Sequence, residues 1–126
     1  MRKTGFLFAA IFACSTIMGQ NTATTSQTGD NNEATVIQLG NLNNSTISSV
    51  GNENDVTVKL NGDRNSSAVS QQGNGNSVDL KVGFQTNPTY PSNDNIATIS
   101  QIGNSNTVKS GLTWGDQNKD VILQNG

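Results

Sequence analysis

The stretch Gly51-Asn52-Glu53-Asn54-Asp55-Val56-Thr57-Val58-Lys59-Leu60 contains both features that decide the fold of this chain. It opens with a turn-forming phrase: Gly, Asn, a variable residue, Asn. Gly adopts positive φ without steric cost, and Asn tolerates the same region and bonds to nearby backbone. After Asn54 the residues alternate, with Val56, Val58 and Leu60 on one side and polar residues between them. Alternation with a period of two predicts a half-buried β-strand.

The turn phrase returns at a spacing of eleven residues through most of the chain, and its second residue is Asn or Asp. We number the repeat so that the Gly is position 3 and the second Asn is position 6. The turn glycines are Gly29, Gly40, Gly51, Gly62, Gly73, Gly103 and Gly115. A further copy begins with Ser92 in place of Gly. A fixed period with turn chemistry at one phase is the signature of a repeat architecture.

Position 1 of the repeat indicates how the strands are grouped. It holds Gln or Ser in some units, and Leu60, Val82 and Leu112 in alternate units from the middle of the chain onward. This alternation predicts a coil of two strands and two turns, 22 residues long. The predicted fold is all-β: a β-solenoid, or cross-β stack, of strand-turn-strand coils with an 11-residue half-repeat. We expect nine strands between Asn21 and Gln124, with like strands about 4.8 Å apart.

Two places interrupt the register. Residues 83–91 form an insert that contains both prolines and the only tyrosine, and we expect it to bulge outward at a turn. One extra residue precedes Gly115, and Asp120 then falls at an inward position of the last strand.

The composition excludes several function classes. Only 32% of residues are hydrophobic and 13% are charged, which is too little apolar material for a conventional core of this size. The chain has no histidine and a single cysteine, and its acidic residues fall mostly in turns, so we expect neither an enzyme nor a metal or cofactor site. The isolated Trp114 and Tyr90 provide no stacking platform for nucleic acid or sugar, and we expect no small-molecule substrate.

The N-terminus is typical of a secretory signal peptide. Arg2 and Lys3 precede a short apolar run from Phe6 to Ala13, which is too short to span a membrane. We predict cleavage after Gly19, so that residues 1–19 are the signal and residues 20–126 are the repeat domain. Cleavage removes Cys14 and leaves five basic and nine acidic residues, a net charge of −4 that disfavours nucleic-acid binding. A rival interpretation is a lipoprotein box with Cys14 acylated.

The amide side chains are the candidate functional residues, because alternation places position 6 and position 1 toward the interior. An amide that recurs in successive coils can donate to one neighbour and accept from the other. The predicted ladder residues are Asn21, Gln27, Asn32, Gln38, Asn43, Asn54, Asn65, Gln71, Asn76, Asn95, Gln101, Asn106, Asn118 and Gln124. At position 4, as in Asn41, Asn52 and Asn74, we interpret Asn as a turn residue alone.

These spacings resemble the curlin repeat, in which Gln is followed by Gly two residues on, Asn five on, a small residue seven on and Gln eleven on. The match is complete from Gln27 through Gly29, Asn32 and Ala34 to Gln38. Gln71 and Gln101 begin further half-matches, and the resemblance extends over nearly all of residues 20–126.

The resemblance implies a secreted structural subunit that polymerises with itself into curli-like extracellular amyloid fibres at the bacterial surface, for adhesion and the biofilm matrix. It implies export through an outer-membrane channel and assembly with a nucleator subunit, and it assigns the ladder amides to polymerisation. Ser49, Leu60, Val82 and Leu112 depart from the pattern where the family has Gln. A major subunit, a nucleator and a minor variant therefore all remain open.

A second hypothesis is a monomeric secreted β-solenoid with an ice-binding or adhesive face. Thr24, Thr35, Thr46, Thr57 and Thr98 share outward position 9, where a flat threonine array could form. Ala68, Asp79 and Lys109 break this column. A monomeric solenoid also needs caps on its terminal strands, and neither end has the sequence of a cap.

Overall fold

The structure, a computed structural model, describes residues 8–14, 19–83, 92–112 and 115–126. Within these ranges the regular structure is entirely β, in ten strands. They are β1 (Phe8–Cys14), β2 (Thr22–Thr28), β3 (Glu33–Leu39), β4 (Asn44–Val50), β5 (Asp55–Asn61), β6 (Ser66–Gln72), β7 (Ser77–Val82), β8 (Ile96–Ile102), β9 (Thr107–Leu112) and β10 (Lys119–Asn125). No helix capable of crossing a membrane occurs in this part of the chain.

The strands form two parallel sheets that face each other across a narrow core. Sheet A has the order β1-β3-β5-β7-β9, and sheet B has the order β10-β8-β6-β4-β2. The chain therefore crosses from one sheet to the other at every turn, and each pair of strands makes one coil. This is the predicted β-solenoid of stacked strand-turn-strand coils.

The strand register confirms the predicted 22-residue coil. Val56 lies beside Val78 in sheet A, and Ser45 lies beside Ser67 in sheet B. Across the insert the offset grows to 30 residues, as in the pairing of Gln71 with Gln101. Residues 84–91 of that insert lie outside the described residues. The offset of 23 residues between β8 and β10 reflects the single extra residue before Gly115.

The core lies between the sheets and is built from positions 8, 10 and 1 of each unit. Alternation along each strand turns these side chains inward, while the intervening positions face outward. The buried apolar residues are Ala34, Val36, Ile47, Val56, Val58, Leu60, Val69, Val78, Leu80, Val82, Ala97, Ile99 and Val108. Nine of these thirteen residues are valine or alanine, so the core offers little apolar surface and backbone pairing carries much of the fold.

The N-terminal part of the chain differs from the sequence expectation in one respect. Phe8–Cys14, within the predicted signal peptide, forms β1 and pairs in parallel with β3. The register places Phe8 beside Glu33 and Ala13 beside Gln38. Residues 1–7 and 15–18 lie outside the described residues, and cleavage after Gly19 stays a prediction.

Candidate functional site

The asparagines of position 6 form two columns, one at each side of the solenoid. The sheet A column precedes the strands of sheet A and contains Asn32, Asn54, Asn76 and Asn106. The sheet B column contains Asn21, Asn43, Asn65, Asn95 and Asn118. Within the columns, Asn32, Asn43, Asn54, Asn65, Asn76 and Asn95 are buried.

Asn54 illustrates how a column is held together. Its Nδ2 donates to Asn32 Oδ1 in the preceding coil at 3.1 Å and to the Gly73 carbonyl in the next coil at 2.8 Å. Its Oδ1 accepts from both the backbone N–H and the Nδ2 of Asn76, at 3.0 and 3.1 Å. Asn95 repeats this pattern in the sheet B column, where its Nδ2 donates to Asn65 Oδ1 at 3.0 Å. Both columns therefore run with their amide donors toward the N-terminal end.

The glutamines of position 1 form a ladder in sheet B with the opposite direction. Ser49 Oγ donates to Gln71 Oε1 at 3.0 Å, and Gln71 Nε2 donates to Gln101 Oε1 at 3.0 Å. Gln101 Nε2 in turn donates to Gln124 Oε1 at 2.9 Å. Gln27 lies at the N-terminal end of this ladder, where both atoms of its amide are buried without a partner.

Gln38 is not part of that ladder. It lies in sheet A beside Leu60, and the apolar residues Leu60 and Val82 continue its column. Its Nε2 instead crosses the core and donates to the Thr22 carbonyl at 2.8 Å. The expectation that Gln38 bonds to other glutamines was therefore wrong for the single chain, because consecutive repeats alternate between the two sheets.

The interpretation of position 4 as turn chemistry alone was also wrong. Asn74 Oδ1 accepts from the backbone N–H of Asn52 at 2.8 Å, and Asn52 Oδ1 accepts from that of Asp30 at 2.8 Å. Position 4 thus forms exposed columns that bond each coil to the one before it. Position 4 holds Asn or Asp in every copy of the turn phrase, just as position 6 always holds Asn, and this recurrence was the signal that could have revealed the columns.

The variable residue of the turn, position 5, has the left-handed conformation. Its φ lies near 57° even for Leu42, Glu53 and Arg64. The backbone N–H of Glu53 donates to the Asp30 carbonyl of the preceding coil at 2.9 Å, and the other coils repeat this bond. Contact between coils therefore compensates for a conformation that costs an L-residue about 1 to 2 kcal/mol.

Position 3 requires glycine because the next coil approaches its backbone. At Gly51, φ is +119°, and an added Cβ would lie 1.9 Å from the Gly73 carbonyl oxygen. The one substitution, Ser92, is accommodated by a different bond. Its hydroxyl accepts from Asn95 Nδ2 and donates to the Gly115 carbonyl, at 2.8 and 2.6 Å, so it relays a contact that Asn54 makes directly to Gly73.

The two outer faces differ in charge. The outward charged residues of sheet A are Glu33, Asp55, Lys59, Asp79, Lys81 and Lys109. In the described strands of sheet B, outward charge is confined to Lys119, and small Ser and Thr side chains occupy half of the outward positions. Thr24, Thr46 and Thr98 lie on sheet B, whereas Thr35 and Thr57 lie on sheet A. The expectation of one shared threonine face was therefore wrong.

Like charges lie side by side at the start of sheet A. Glu33 pairs in register with Asp55. Partial desolvation, together with repulsion from Glu33 and Asp79, raises the pKa of Asp55 above its usual value. A solvent-exposed ion pair joins two turns, where Arg64 contacts Asp94 through two bonds of 2.7 Å and lowers the pKa of that carboxyl. Such an exposed pair contributes little to stability.

The ends of the solenoid present unpaired strand edges. Among the described strands, β1 and β2 are outermost at one end and β9 and β10 at the other, and each is bonded to one neighbour within its sheet. The N-terminal end also carries the unpartnered Gln27 amide and Thr25 Oγ1. No group of three or more potential metal ligands was found among the described residues. This arrangement can bond to further strands of the same kind.

Comparison with known families identifies the repeat. The family model described as the curlin associated repeat matches residues 20–51, 29–59 and 51–81. These matches are adjacent and overlapping, and they cover the solenoid from the residues before β2 into β7. Neither the curated proteins nor the solved structures gave a match.

Proposed function

The chain belongs to the curlin-repeat family through the repeats of residues 20–81, and on this premise we propose that it polymerises into curli-like extracellular amyloid fibres. It serves as a structural subunit for bacterial adhesion and the biofilm matrix. The observation that carries this proposal is the pair of unpaired strand edges at the two ends of the solenoid, along which the position 6 asparagines form continuous columns. A strand edge with regular, unpaired backbone groups is a template for another chain.

The chemistry of the interior supports folding that is coupled to assembly. Buried amides such as Asn54 and Gln71 depend on the coils on either side of them for most of their hydrogen bonds. The apolar core between them is thin, so an isolated coil buries too little surface to offset the entropy of ordering its backbone. The exported chain stays largely unfolded in dilute solution and folds when a fibre end supplies the first neighbouring coil.

The family premise also supplies the partners and the location. The chain loses residues 1–19 on export, passes through an outer-membrane secretion channel, and is started by a nucleator subunit at the cell surface. The polymerisation residues are the amide side chains of positions 6 and 1, of which Asn21 is the first and Gln124 the last. The position 3 glycines allow neighbouring coils to approach each other. Cofactors, nucleic acid and small-molecule substrates have no role in this function.

The test is the time course of thioflavin-T fluorescence for exported protein diluted from denaturant, with and without preformed fibre fragments. Templated polymerisation predicts a lag phase that the fragments remove, and electron microscopy should show fibres at the plateau. Fragments of an unrelated amyloid serve as the control and should leave the lag unchanged. A soluble, strand-rich monomer that gives no signal over the same period would refute the proposal.

A further inference from the structure

We propose that successive copies in the fibre are related by a half-turn about its axis, so that β10 of one copy pairs with β3 of the next. In the same junction β9 pairs with β2 of the next copy, and sheets A and B exchange sides at every subunit. This inference rests on the proposed function, and in particular on the removal of residues 1–19, which include β1.

The number of strands in each sheet provides the first argument. Among the described strands and without β1, sheet A has four, β3-β5-β7-β9, and sheet B has five, β2-β4-β6-β8-β10. If the next copy were added without rotation, its β2 would pair with β10, and a gap one strand wide would separate β9 from its β3. A half-turn closes this gap, because β2 continues sheet A and β3 continues sheet B. Every backbone edge at the junction is then paired.

The structure also shows that the β3 edge accepts a strand of this kind. β1 occupies that edge as a parallel strand over seven residues, with Phe8 beside Glu33 and Cys14 beside Leu39. When residues 1–19 are removed, the edge becomes available in the same register. β10 also has seven residues, and in this register Lys119 takes the place of Phe8. The strand that signal cleavage removes is thus replaced by the last strand of another copy.

The side chains of β10 match β3 better than they match β2. In the half-turn junction the neighbouring pairs, β10 residue first, are Lys119 with Glu33, Ile122 with Val36, Leu123 with Ile37, and Gln124 with Gln38. Without rotation the corresponding pairs are Lys119 with Thr22, Ile122 with Thr25, Leu123 with Ser26, and Gln124 with Gln27. The half-turn therefore joins an opposite charge pair, two apolar pairs and an amide pair, whereas the alternative joins one amide pair. Neighbouring pairs of these kinds stabilise a sheet.

Leu123 gives this match particular weight. It is 74% exposed on the outward face of β10, the largest exposure among the large hydrophobic side chains of the described residues. In the half-turn junction Ile37 of the next copy lies beside it on the same face, and the two side chains cover each other. Without rotation it would lie beside Ser26, which offers no apolar surface.

The half-turn also provides partners for two of the three polar atoms that β2 leaves buried and unpaired in the single chain, Thr25 Oγ1 and Gln27 Nε2. Thr25 comes to lie beside Ser110 of β9, whose hydroxyl already donates to Asp120 and can accept from a second hydroxyl. Four of the five position 1 glutamines, Gln38, Gln71, Gln101 and Gln124, donate to the position 7 carbonyl of the preceding strand, as Gln124 does to Thr107, and Gln27, which follows β1, is the exception.

The same rule gives Gln27 its partner. In the half-turn junction the strand that precedes β2 is β10 of the neighbouring copy, and its position 7 residue is Lys119. Gln27 Nε2 therefore donates to the Lys119 carbonyl across the junction. Without rotation the place of that preceding strand is the gap in sheet A, and this bond cannot form.

The proposal is tested by disulfide formation in fibres grown from exported chain whose start at Gln20 is verified by mass spectrometry. The chain then contains no other cysteine. The double variant Ile37→Cys/Leu123→Cys places two thiols on adjacent strands about 4.8 Å apart, within the Cα separation that a disulfide spans. Oxidised fibres should dissociate in detergent into covalent multimers. The matched variant Ser26→Cys/Leu123→Cys should give monomers, because its thiols lie on opposite faces.

The reverse pattern, multimers only from the Ser26 variant, overturns the half-turn and leaves the fibre function intact. Monomers from both variants overturn it as well, since some other contact must then join the copies. Fibres separately assembled from single-cysteine variants and then mixed control for contacts between fibres. A chain that keeps residues 1–19 in the fibre also refutes the proposal, because β1 would then fill the gap.

Cryo-electron microscopy of unmodified fibres gives a second, independent readout. The nine strands β2 to β10 predict a rise of four and a half coils per copy, about 21 to 22 Å, with a rotation close to 180°. Stacking without rotation predicts about 24 Å, or five coils, and a rotation close to zero. Complete absence of fibres would overturn the proposed function itself, and the junction with it.

Discussion

Replacement of Asn54 by Ala is the sharpest test of the amide columns, because this buried side chain bonds to the coils on both sides of it. The substitution removes four hydrogen bonds made by the Asn54 side chain. Asn32 Oδ1 keeps the bond from the backbone N–H of residue 54, and Asn76 Nδ2 keeps the Gly103 carbonyl. The Gly73 carbonyl and the Asn76 backbone N–H lose the bonds that the structure gives them from this side chain.

The expected magnitude follows from those two groups. A buried donor or acceptor left without a partner costs about 1 to 3 kcal/mol. The two groups together would cost about 2 to 6 kcal/mol. We expect a loss of about 2 to 4 kcal/mol per subunit, in the lower part of that range, because the column borders a turn that water can reach. Since each 1.4 kcal/mol changes an equilibrium tenfold, the soluble concentration in equilibrium with fibres should rise about thirty- to seven-hundredfold.

Asn52→Ala is the matched control, because it changes the same residue type two positions earlier. The Asn52 side chain is exposed and accepts one bond, from the backbone N–H of Asp30 at 2.8 Å. Water can replace that bond, so we expect a loss of about 0.5 to 1 kcal/mol and a two- to fivefold rise in soluble concentration.

The assay brings fibres of each variant to equilibrium at a denaturant concentration that leaves a measurable soluble fraction of the unsubstituted protein. The supernatant after sedimentation then gives the concentration ratio directly. Equal shifts for Asn54→Ala and Asn52→Ala would refute the reasoning, because the buried columns would then contribute no more than an exposed turn contact.

Two further predictions use the same assay. Gly51→Ala should prevent assembly or raise the soluble concentration beyond the Asn54→Ala value, since its Cβ would overlap the Gly73 carbonyl oxygen at 1.9 Å. Gly75→Ala, whose Cβ would make only an ordinary contact with Ser105 Oγ at 3.7 Å, should cost about 1 to 2 kcal/mol. A comparable effect of both glycine variants would contradict the close approach of coils. Asp55→Asn should assemble better than the unsubstituted chain at neutral pH. The pKa of Asp55 is raised in the folded protein. The unsubstituted fibre should therefore gain stability as the pH falls from neutral through that pKa toward the ordinary value of 3.8. The variant should lack this part of the pH dependence. An unchanged pH profile would exclude Asp55 as the titrating group.

The sequence predicted the parts of the fold that depend on repeated side chains. Alternation at Val56, Val58 and Leu60 predicted a strand with those residues inward, and all three are fully buried. The alternation of Gln71 with Val82 at position 1 predicted two kinds of strand in one coil, and the two residues indeed lie in different sheets. These predictions succeeded because each depends on a side chain whose type is fixed by its place in the stack.

Predictions failed where the partner of a residue depended on which sheet the residue joins. Gln38 has the sequence neighbourhood of a ladder glutamine, but it is stacked on Leu60 because units one repeat apart lie in opposite sheets. Thr35 and Thr46 share position 9 and nevertheless face opposite sides of the solenoid for the same reason. The 22-residue coil was part of the prediction. It means that a residue is stacked on the residue two units away, so these columns can be assigned only by comparing residues two units apart.

The left-handed conformation of position 5 could not be predicted by any comparison of residues. Leu42, Glu53 and Arg64 have no common property that favours positive φ, and the conformation of Glu53 and Arg64 is stabilised by their backbone N–H groups, which bond to the preceding coil. Every residue except proline has that N–H, so selection for this contact leaves almost no trace in residue type.

The same physics applies to the strand edges at the ends of the solenoid. Their ability to accept another copy is a property of the backbone, and the choice between two stackings rests on a few side chains, among them Lys119 and Leu123, at places where the eleven-residue pattern allows variation. The pattern that predicts the coil therefore does not determine the junction between subunits, and the junction follows only from counting the strands in each sheet and comparing the edges that remain open.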